Sequence, residues 1–196
     1  MIVVVGRPVV TVGPGGPRAG GMASFIATAC VGAGAKVELV GTVGDDEAGD
    51  TVVVDLARAG VGHAALLRVP ATVIASADAS AAPATTRLDA RDLDLGLRYV
   101  PDFRVLVVAE PLTAELEEIV LEAAAYSGAS IVVVAANGRP VGAALADVAT
   151  VLEAPGAAPV PFAAMVGRYA AGLDAGAQPA AAFSAAAQGA GWEPAG

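Results

Sequence analysis

The chain has 196 residues, which is enough for one domain that buries roughly 70% of its unfolded surface. Hydrophobic residues make up 56% of the sequence and charged residues 16%, a composition that excludes a disordered chain. The formal net charge is −9 and the only lysine is Lys36. This balance argues against a nucleic-acid partner and against attraction to anionic membranes, because both need clustered basic side chains.

Cysteine content and the hydropathy of the chain narrow the class further. Cys30 is the only cysteine, so neither an intrachain disulfide nor a cysteine zinc site can form. It lies in an apolar helical stretch, which predicts a buried structural thiol. The first residues do not resemble a signal peptide, and no segment approaches the ~20 apolar residues of a membrane helix. We therefore expect a soluble cytoplasmic protein.

Short β-branched runs alternate with longer alanine-rich helical stretches along the chain. This alternation predicts an α/β fold with a mainly parallel sheet and crossover helices. Predicted strands cover residues 2–6, 9–12, 36–41, 69–75, 104–110 and 130–140. Predicted helices cover residues 22–33, 47–60, 113–126 and 162–173, followed by a last helix that opens at residue 179.

Three segments are predicted to lie outside regular structure. The run GPGGP at residues 13–17 is expected to break the chain after the second strand. Residues 76–86 form a loop of small residues. Residues 153–161 contain three prolines in nine positions, and proline both removes an amide donor and fixes φ.

An acidic cluster follows the third predicted strand. It comprises Asp45, Asp46, Glu47 and Asp50 at the start of a predicted helix. Carboxylates there are explained by helix capping and by the helix dipole, and association with a ligand or an ion is the alternative. His63 is the only histidine, which excludes a multi-histidine metal site and leaves the acidic cluster as the best metal candidate. Since capping explains that cluster, we predict no metal.

Four patterns in register resemble a family signature. They are the glycine pair Gly20-Gly21, the helix end at residues 34–35, GTVGDDEAG at residues 41–49 and LARAGV at residues 56–61. Together they are similar to the first signature of the ribokinase-like, or PfkB, carbohydrate kinases. VVAANGRP, which ends in Asn137, Gly138, Arg139 and Pro140, resembles a later strand of that family, and residues 161–189 resemble its late helix pair.

The resemblance implies a ribokinase-like α/β fold, a mainly parallel sheet flanked by helices with a small β lid. Residues 1–196 are predicted to form one truncated domain of this type. Its lid strands are expected near residues 9–12 and 62–75, and its C-terminal helix pair at 161–189. A block of the family pattern that carries several strands and part of the nucleotide pocket is missing between Leu152 and Pro155.

The family's catalytic motif is also changed. Its Gly-Ala-Gly-Asp sequence corresponds here to Ala157, Ala158, Pro159 and Val160. Valine cannot accept the proton of a sugar hydroxyl, and proline lacks the amide that would hold a transferring phosphate. The resemblance therefore implies no catalytic residue, no metal and no cofactor in this chain.

The sugar-binding side departs from the family as well. Thr11 falls near the family's first-strand aspartate, and Phe25 replaces its helix asparagine. Phe25 either offers an apolar face to an aromatic or apolar ligand or fills space left by a lost one. The ligand-binding candidates are Thr11, Gly20, Gly21, Phe25, Asp45, Asn137 and Arg139.

The leading hypothesis is a degenerate carbohydrate-kinase homologue that binds a small molecule or acts as an assembly subunit without phosphorylating anything. The resemblance also implies a homodimer through the lid strands. One alternative is a repurposed enzyme that acts on a small apolar or aromatic metabolite without ATP, with candidate groups Asp45, Asp46, Glu110, Asn137, Arg139 and Tyr169. Another is an active sugar or nucleoside kinase completed by a partner chain.

Overall fold

A computed structural model describes residues 1–72, 74–76, 88–100, 102–136, 138–155 and 159–189. Within these residues the strands are β1 (Ile2–Val5), β2 (Val9–Gly13), β3 (Gly16–Gly20), β4 (Val37–Gly44), β5 (Leu66–Val69), β6 (Ile74–Ser76), β7 (Val105–Val108), β8 (Ser130–Ala135) and β9 (Thr150–Glu153). The helices are α1 (Gly21–Gly32), α2 (Glu47–Arg58), α3 (Ala90–Tyr99), α4 (Ala114–Ser127), α5 (Ala143–Ala146), α6 (Pro159–Asp174) and α7 (Pro179–Gly189).

The main sheet has six strands in the order β5-β4-β1-β7-β8-β9, and every pair in it is parallel. β1 is central and all four of its residues are fully buried. Its apolar run IVVV suits this position, because a strand covered on both faces needs no polar alternation. The mainly parallel α/β sheet predicted from the sequence is confirmed.

The two faces of the sheet bury separate apolar clusters. Ile2 and Val4 of β1 belong to the cluster beneath α1, α2, α6 and α7. Val3 and Val5 belong to the cluster beneath α3 and α4. The period of two along a strand produces this division, since successive side chains point to opposite faces.

A second, three-stranded sheet in the order β3-β2-β6 forms the lid. β2 and β3 make an antiparallel hairpin, in which Gly13 pairs with Gly16. The break expected at residues 13–17 is thus a tight turn followed by a strand. Pro17 is tolerated in β3 because β3 is an edge strand and its missing amide removes no bond from a central ladder.

The segment predicted as one lid strand within residues 62–75 is divided between the two sheets. β5 pairs with β4 in the main sheet, whereas β6 pairs with β2 in the lid. Pro70 lies between them, and a proline there ends the ladder because it has no amide hydrogen. The predicted lid strand at residues 9–12 corresponds to β2, with Gly13 added.

The C-terminal helix pair consists of α6 and α7, in which α6 packs on α1 and α7 packs on α6. α6 begins at Pro159, inside the stretch predicted to be irregular. Prolines at the start of a helix cost little, because the first amides of a helix have no intrahelical acceptor. No described helix combines the length and the apolar character that crossing a membrane requires.

Candidate functional site

The order of the strands marks one position at the carboxyl edge of the main sheet. From β1 the chain moves outward to β4 and β5, then returns to β7 on the other side of β1 and continues to β8 and β9. The strand order therefore reverses between β1 and β7. In open parallel sheets, ligands bind outside the carboxyl ends of the strands at such a reversal.

A buried ion pair lies at this reversal. Arg7 follows the end of β1 and Glu110 follows the end of β7. The Arg7 Nε donates to both oxygens of Glu110, at 3.1 and 3.0 Å. The two side chains are only 10% and 15% exposed. Arg7 was not among the residues predicted for the site, and Glu110 was named only for the alternative enzyme.

The glycine pair ahead of α1 lies close to the same edge. Gly21 has a φ of +82°, a conformation that favours glycine. A Cβ at Gly21 would lie 3.1 Å from a Val9 methyl group and 3.7 Å from the Arg7 carbonyl oxygen. α1 has no side-chain cap and no acidic residue in its first turn. Its first amides are therefore left without a side-chain acceptor beside the end of β1.

Thr11 and Gly20 come together in the β2–β3 hairpin. A Cβ on Gly20 would overlap the Thr11 side chain, so only glycine fits there. The Thr11 hydroxyl donates to the Arg18 carbonyl at 3.4 Å. Phe25 lies one turn further along α1, is half-buried and packs against the core cluster beneath that helix. This packing favours Phe25 as a residue that fills space.

The acidic turn after β4 is a structural joint. Asp46 caps α2 by accepting from the Gly49 amide at 2.7 Å, and it also accepts from the Thr72 amide and hydroxyl at 2.7 Å each. These bonds, the Thr72 hydroxyl first, hold the pKa of Asp46 below its ordinary value. Asp45 is exposed, and Asp50 pairs with Arg68 at 2.8 Å.

A search for metal ligands finds no suitable group of histidine, cysteine, aspartate or glutamate within the described ranges. The capping interpretation of the acidic cluster is supported for Asp46. The alternative of a ligand at Asp45 stays a prediction.

The two candidates after β8 differ in what can be said of them. Asn137 lies outside the described residues. Arg139 is exposed and lines a shallow cleft with Glu110 and Glu117 at the carboxyl ends of β7 and β8. The cleft has a volume of about 20 Å³, which is room for about one water molecule. Arg139 is thus brought near Glu110, whereas Phe25 does not line this cleft.

The start of α6 holds the residues that the sequence resemblance aligns with the family's catalytic motif. Ala157 and Ala158 lie outside the described residues. Val160 is in the first turn of α6 and its side chain is 52% exposed. Pro159 provides no amide at the position where the helix begins.

Two further side chains named from the sequence are structural. Tyr169 is fully buried in α6 and its hydroxyl lies 3.0 Å from the Thr150 hydroxyl, which connects α6 to β9. Burial raises the pKa of the Cys30 thiol to about 12. The thiol therefore stays protonated at neutral pH, as expected for a buried cysteine that serves in packing.

Comparisons with known proteins agree with this architecture. No protein-family model matches the sequence, and no curated protein is significantly similar to it. Solved structures do match. Arabidopsis thaliana ribokinase, determined with ribose and ATP, is 13% identical, with a TM-score of 0.67 over 96% of this chain and 90% of that one. Aminoimidazole riboside kinase from Salmonella enterica is 14% identical, with a TM-score of 0.61 over 96% and 90%.

Identities this low show the fold alone, but the likeness extends over most of both chains in each case. The six-stranded parallel sheet, its flanking helices and the additional hairpin lid are all accounted for by it. The chain therefore has the ribokinase-like fold of the carbohydrate kinases.

Proposed function

We propose that this chain is a degenerate ribokinase-like protein that binds a small molecule and does not transfer phosphoryl groups. The observation that carries the proposal is the start of α6, where an exposed Val160 and Pro159 occupy the catalytic position implied by the sequence resemblance. A valine cannot remove a proton, and a positioned general base is worth about 10²–10⁴ in rate. Without base and amide together, phosphoryl transfer loses both its proton acceptor and its anion hole.

Retention of a binding site is supported by the other side of the carboxyl edge. The glycine pair keeps its left-handed turn at Gly21. Arg7 and Glu110 are held at the strand reversal, where charged side chains are expensive to bury without a purpose. The same residues argue against a purely structural subunit.

The alternative of a repurposed enzyme receives less support. Among its candidate groups, Asp46 accepts three hydrogen bonds through both of its oxygens, and Tyr169 is fully buried with its hydroxyl against Thr150. Asp45 is exposed at the end of β4. The described candidates therefore do not converge on one reacting atom, apart from Glu110 and Arg139 at the shallow cleft.

The test is a phosphoryl-transfer assay with Mg²⁺-ATP and a panel of ribose, fructose and adenosine, with ADP release as the readout. We expect no turnover above the rate without acceptor. Val160→Asp is compared with Val148→Asp, a matched control at another exposed valine. Restoring one carboxylate is expected to leave both variants inactive, because Pro159 still lacks its amide. Wild-type turnover that Val160→Ala abolishes would overturn the proposal.

We further propose a cytoplasmic, single-domain protein that dimerises through its lid. Val12 and Ile74 lie on the same face of the lid sheet and are 53% and 63% exposed. Exposed apolar side chains grouped on one face favour an interface between protein molecules. Sedimentation equilibrium is expected to give a dimer for the wild type and a monomer for Ile74→Glu. A monomeric wild type would contradict this part of the proposal.

A further inference from the structure

Three buried side-chain atoms in the described part of the chain have no hydrogen-bond partner: Arg7 Nη1, Ser24 Oγ and Glu38 Oε2. They differ in position and chemistry. Glu38 is the second residue of β4, toward the opposite edge of the sheet, and Ser24 is a neutral hydroxyl inside α1. Only Arg7 lies at the strand reversal and carries a permanent charge.

Arg7 has an incomplete set of partners by construction. Its Nε is held by both oxygens of Glu110, which fixes the plane of the guanidinium. Arginine carries five N–H donors and cannot lose a proton in a protein. A buried donor without an acceptor costs about 1–3 kcal/mol, more when it is charged. The side chain is 90% buried, so solvent does not simply supply what is missing.

Glycines let the backbone pack closely around the end of β1 that precedes Arg7. A Cβ on Gly41 would overlap the Gly6 carbonyl, so no side chain from β4 can approach Gly6 at this point. On the other side, Gly21 adjoins the Arg7 carbonyl and opens a helix without acidic residues in its first turn.

We infer that Arg7 Nη1 is the recognition contact for an oxyanion group, a carboxylate or a phosphate, on the small molecule that this chain binds. The inference rests on the proposed binding function and gives it a ligand class. A neutral hydroxyl also accepts a hydrogen bond from the guanidinium, but an oxyanion adds the attraction between opposite charges and can accept two parallel N–H bonds. Glu110 positions Arg7 and at the same time limits the affinity, because its charge opposes the ligand's.

The role of Glu110 separates this inference from recognition of a neutral polyol. Glu110→Gln keeps an oxygen acceptor for Arg7 Nε and removes the opposing charge. An oxyanion ligand then binds more tightly, whereas a neutral ligand that donates hydroxyls to Glu110 binds more weakly. The two ligand classes predict shifts of opposite sign.

The experiment is an NMR titration of the full chain with ¹³C-labelled acetate, with acetamide as the neutral isostere and inorganic phosphate in a parallel arm. We expect acetate or phosphate to bind and acetamide not to bind, and the two oxyanion arms decide between carboxylate and phosphate. Arg7→Lys keeps the charge but loses the planar fork in which Nε binds Glu110 while Nη1 points elsewhere, and is expected to raise the dissociation constant at least about tenfold. Glu110→Gln is expected to lower it, and Arg98→Lys, an exposed matched control, to leave it unchanged.

Several outcomes would overturn the inference: equal binding by Arg7→Lys and wild type, weaker binding by Glu110→Gln, equal binding of acetamide, or no binding of either oxyanion. In the last case a buried water satisfies Nη1. Circular dichroism and a melting temperature establish that each variant is folded. Should Arg7→Lys fail to fold, the sign of the Glu110→Gln shift decides alone. None of these results depends on the phosphoryl-transfer assay, so failure here leaves the proposed function to its own test.

Discussion

Two polar clusters lie at the carboxyl edge of the same sheet, and they differ in how completely they are hydrogen-bonded. Around Asp46 both carboxylate oxygens accept, and the Thr72 hydroxyl donates to Asp46 while accepting from the Gly44 amide at 2.8 Å. Around Arg7, Glu110 is engaged twice but one guanidinium nitrogen has no acceptor within the described structure.

The Asp46 cluster connects structural elements, and the Arg7 cluster is the one that we propose for ligand binding. The Asp46 cluster ties the start of α2 to the crossover that leads to the lid, and it needs nothing further. A buried network with one open donor is stable only at a cost, and a ligand or a bound water would complete it. In the acidic turn, which looks more like a site in the sequence, the Asp46 carboxylate is engaged in structural hydrogen bonds.

The largest expected effect on stability comes from breaking the Arg7–Glu110 pair, called the open cluster because one donor of Arg7 has no acceptor. Arg7→Met leaves the Glu110 carboxylate buried without its partner, and removal of one member of a buried ion pair costs about 3–5 kcal/mol of unfolding free energy. The double variant Arg7→Met with Glu110→Met removes both charges and is expected to lose much less. Urea unfolding of the wild type, Arg7→Met, Glu110→Met and the double variant measures the coupling between the two side chains.

If the losses of unfolding free energy in the two single variants simply added up in the double variant, the observed contact between Arg7 and Glu110 would be contradicted, since residues in direct contact are coupled. It would also remove the contrast between the two clusters, because the open one would then contribute nothing as a pair.

A medium effect on stability is expected from crowding the backbone around Asp46 and Thr72, called the closed cluster because both Asp46 oxygens accept hydrogen bonds. A Cβ on Gly49 would overlap the Gly44 carbonyl oxygen and press on the Thr72 hydroxyl. Gly49→Ala is therefore expected to lower the unfolding free energy by about 1–3 kcal/mol. The matched control is Gly32→Ala at the end of α1, where a Cβ meets nothing within 4 Å.

At Gly32 the added methyl restricts the unfolded chain, so a gain of about 0.5–1 kcal/mol is expected. The same chemical change thus has opposite signs at the two positions. A neutral Gly49→Ala, measured by the same urea titration, would show that the turn has room that the structure does not.

The smallest effect is a pH dependence of the closed cluster. The folded pKa of Asp46 is lowered by its bonds to Thr72 and Gly49, relative to about 3.9 in an unfolded chain. A depressed carboxyl pKa contributes stability that is present above the unfolded value and is lost as pH falls through the folded one. Wild-type stability should therefore fall below about pH 4, and the fall should be shallower in Asp46→Asn.

Thr72→Val removes the largest cause of the shift and should flatten the same part of the profile. Combining the two changes should add little beyond Asp46→Asn alone. Melting temperatures between neutral pH and pH 2 measure the pH dependence of stability in each variant. If the double variant lost as much again of that dependence as Asp46→Asn alone, Thr72 would act through a group other than Asp46.

Much of the main sheet could be predicted from the sequence, because buried parallel strands are continuous apolar runs. β1, β7 and β8 and the helices α1, α4 and α7 lie where their patterns predicted them. β3 was not predicted, since GPRAG has no strand propensity and is a strand only because β2 pairs with it. β9 was missed because it is only four residues long, and its place at the edge of the sheet depends on pairing with β8.

The candidate site was predicted less well than the fold. The glycine pair was identified through a family signature, and the structure places it beside the end of β1. Arg7 was missed because a single arginine after an apolar run carries no signal by itself. Its meaning depends on Glu110, which is 103 positions away along the chain.

The sequence by itself determined the period of its strands and helices, the turns that need glycine, and the absence of a proton acceptor at position 160. These are local properties, decided by which side chain each residue carries. Only the tertiary structure decided that β1 and β7 are neighbours, that both Asp46 oxygens accept hydrogen bonds and that one nitrogen of the Arg7 guanidinium has no acceptor among the described residues. These features depend on contacts between residues that are far apart in the sequence, because the hydrogen-bond partners of a buried side chain are supplied by the fold.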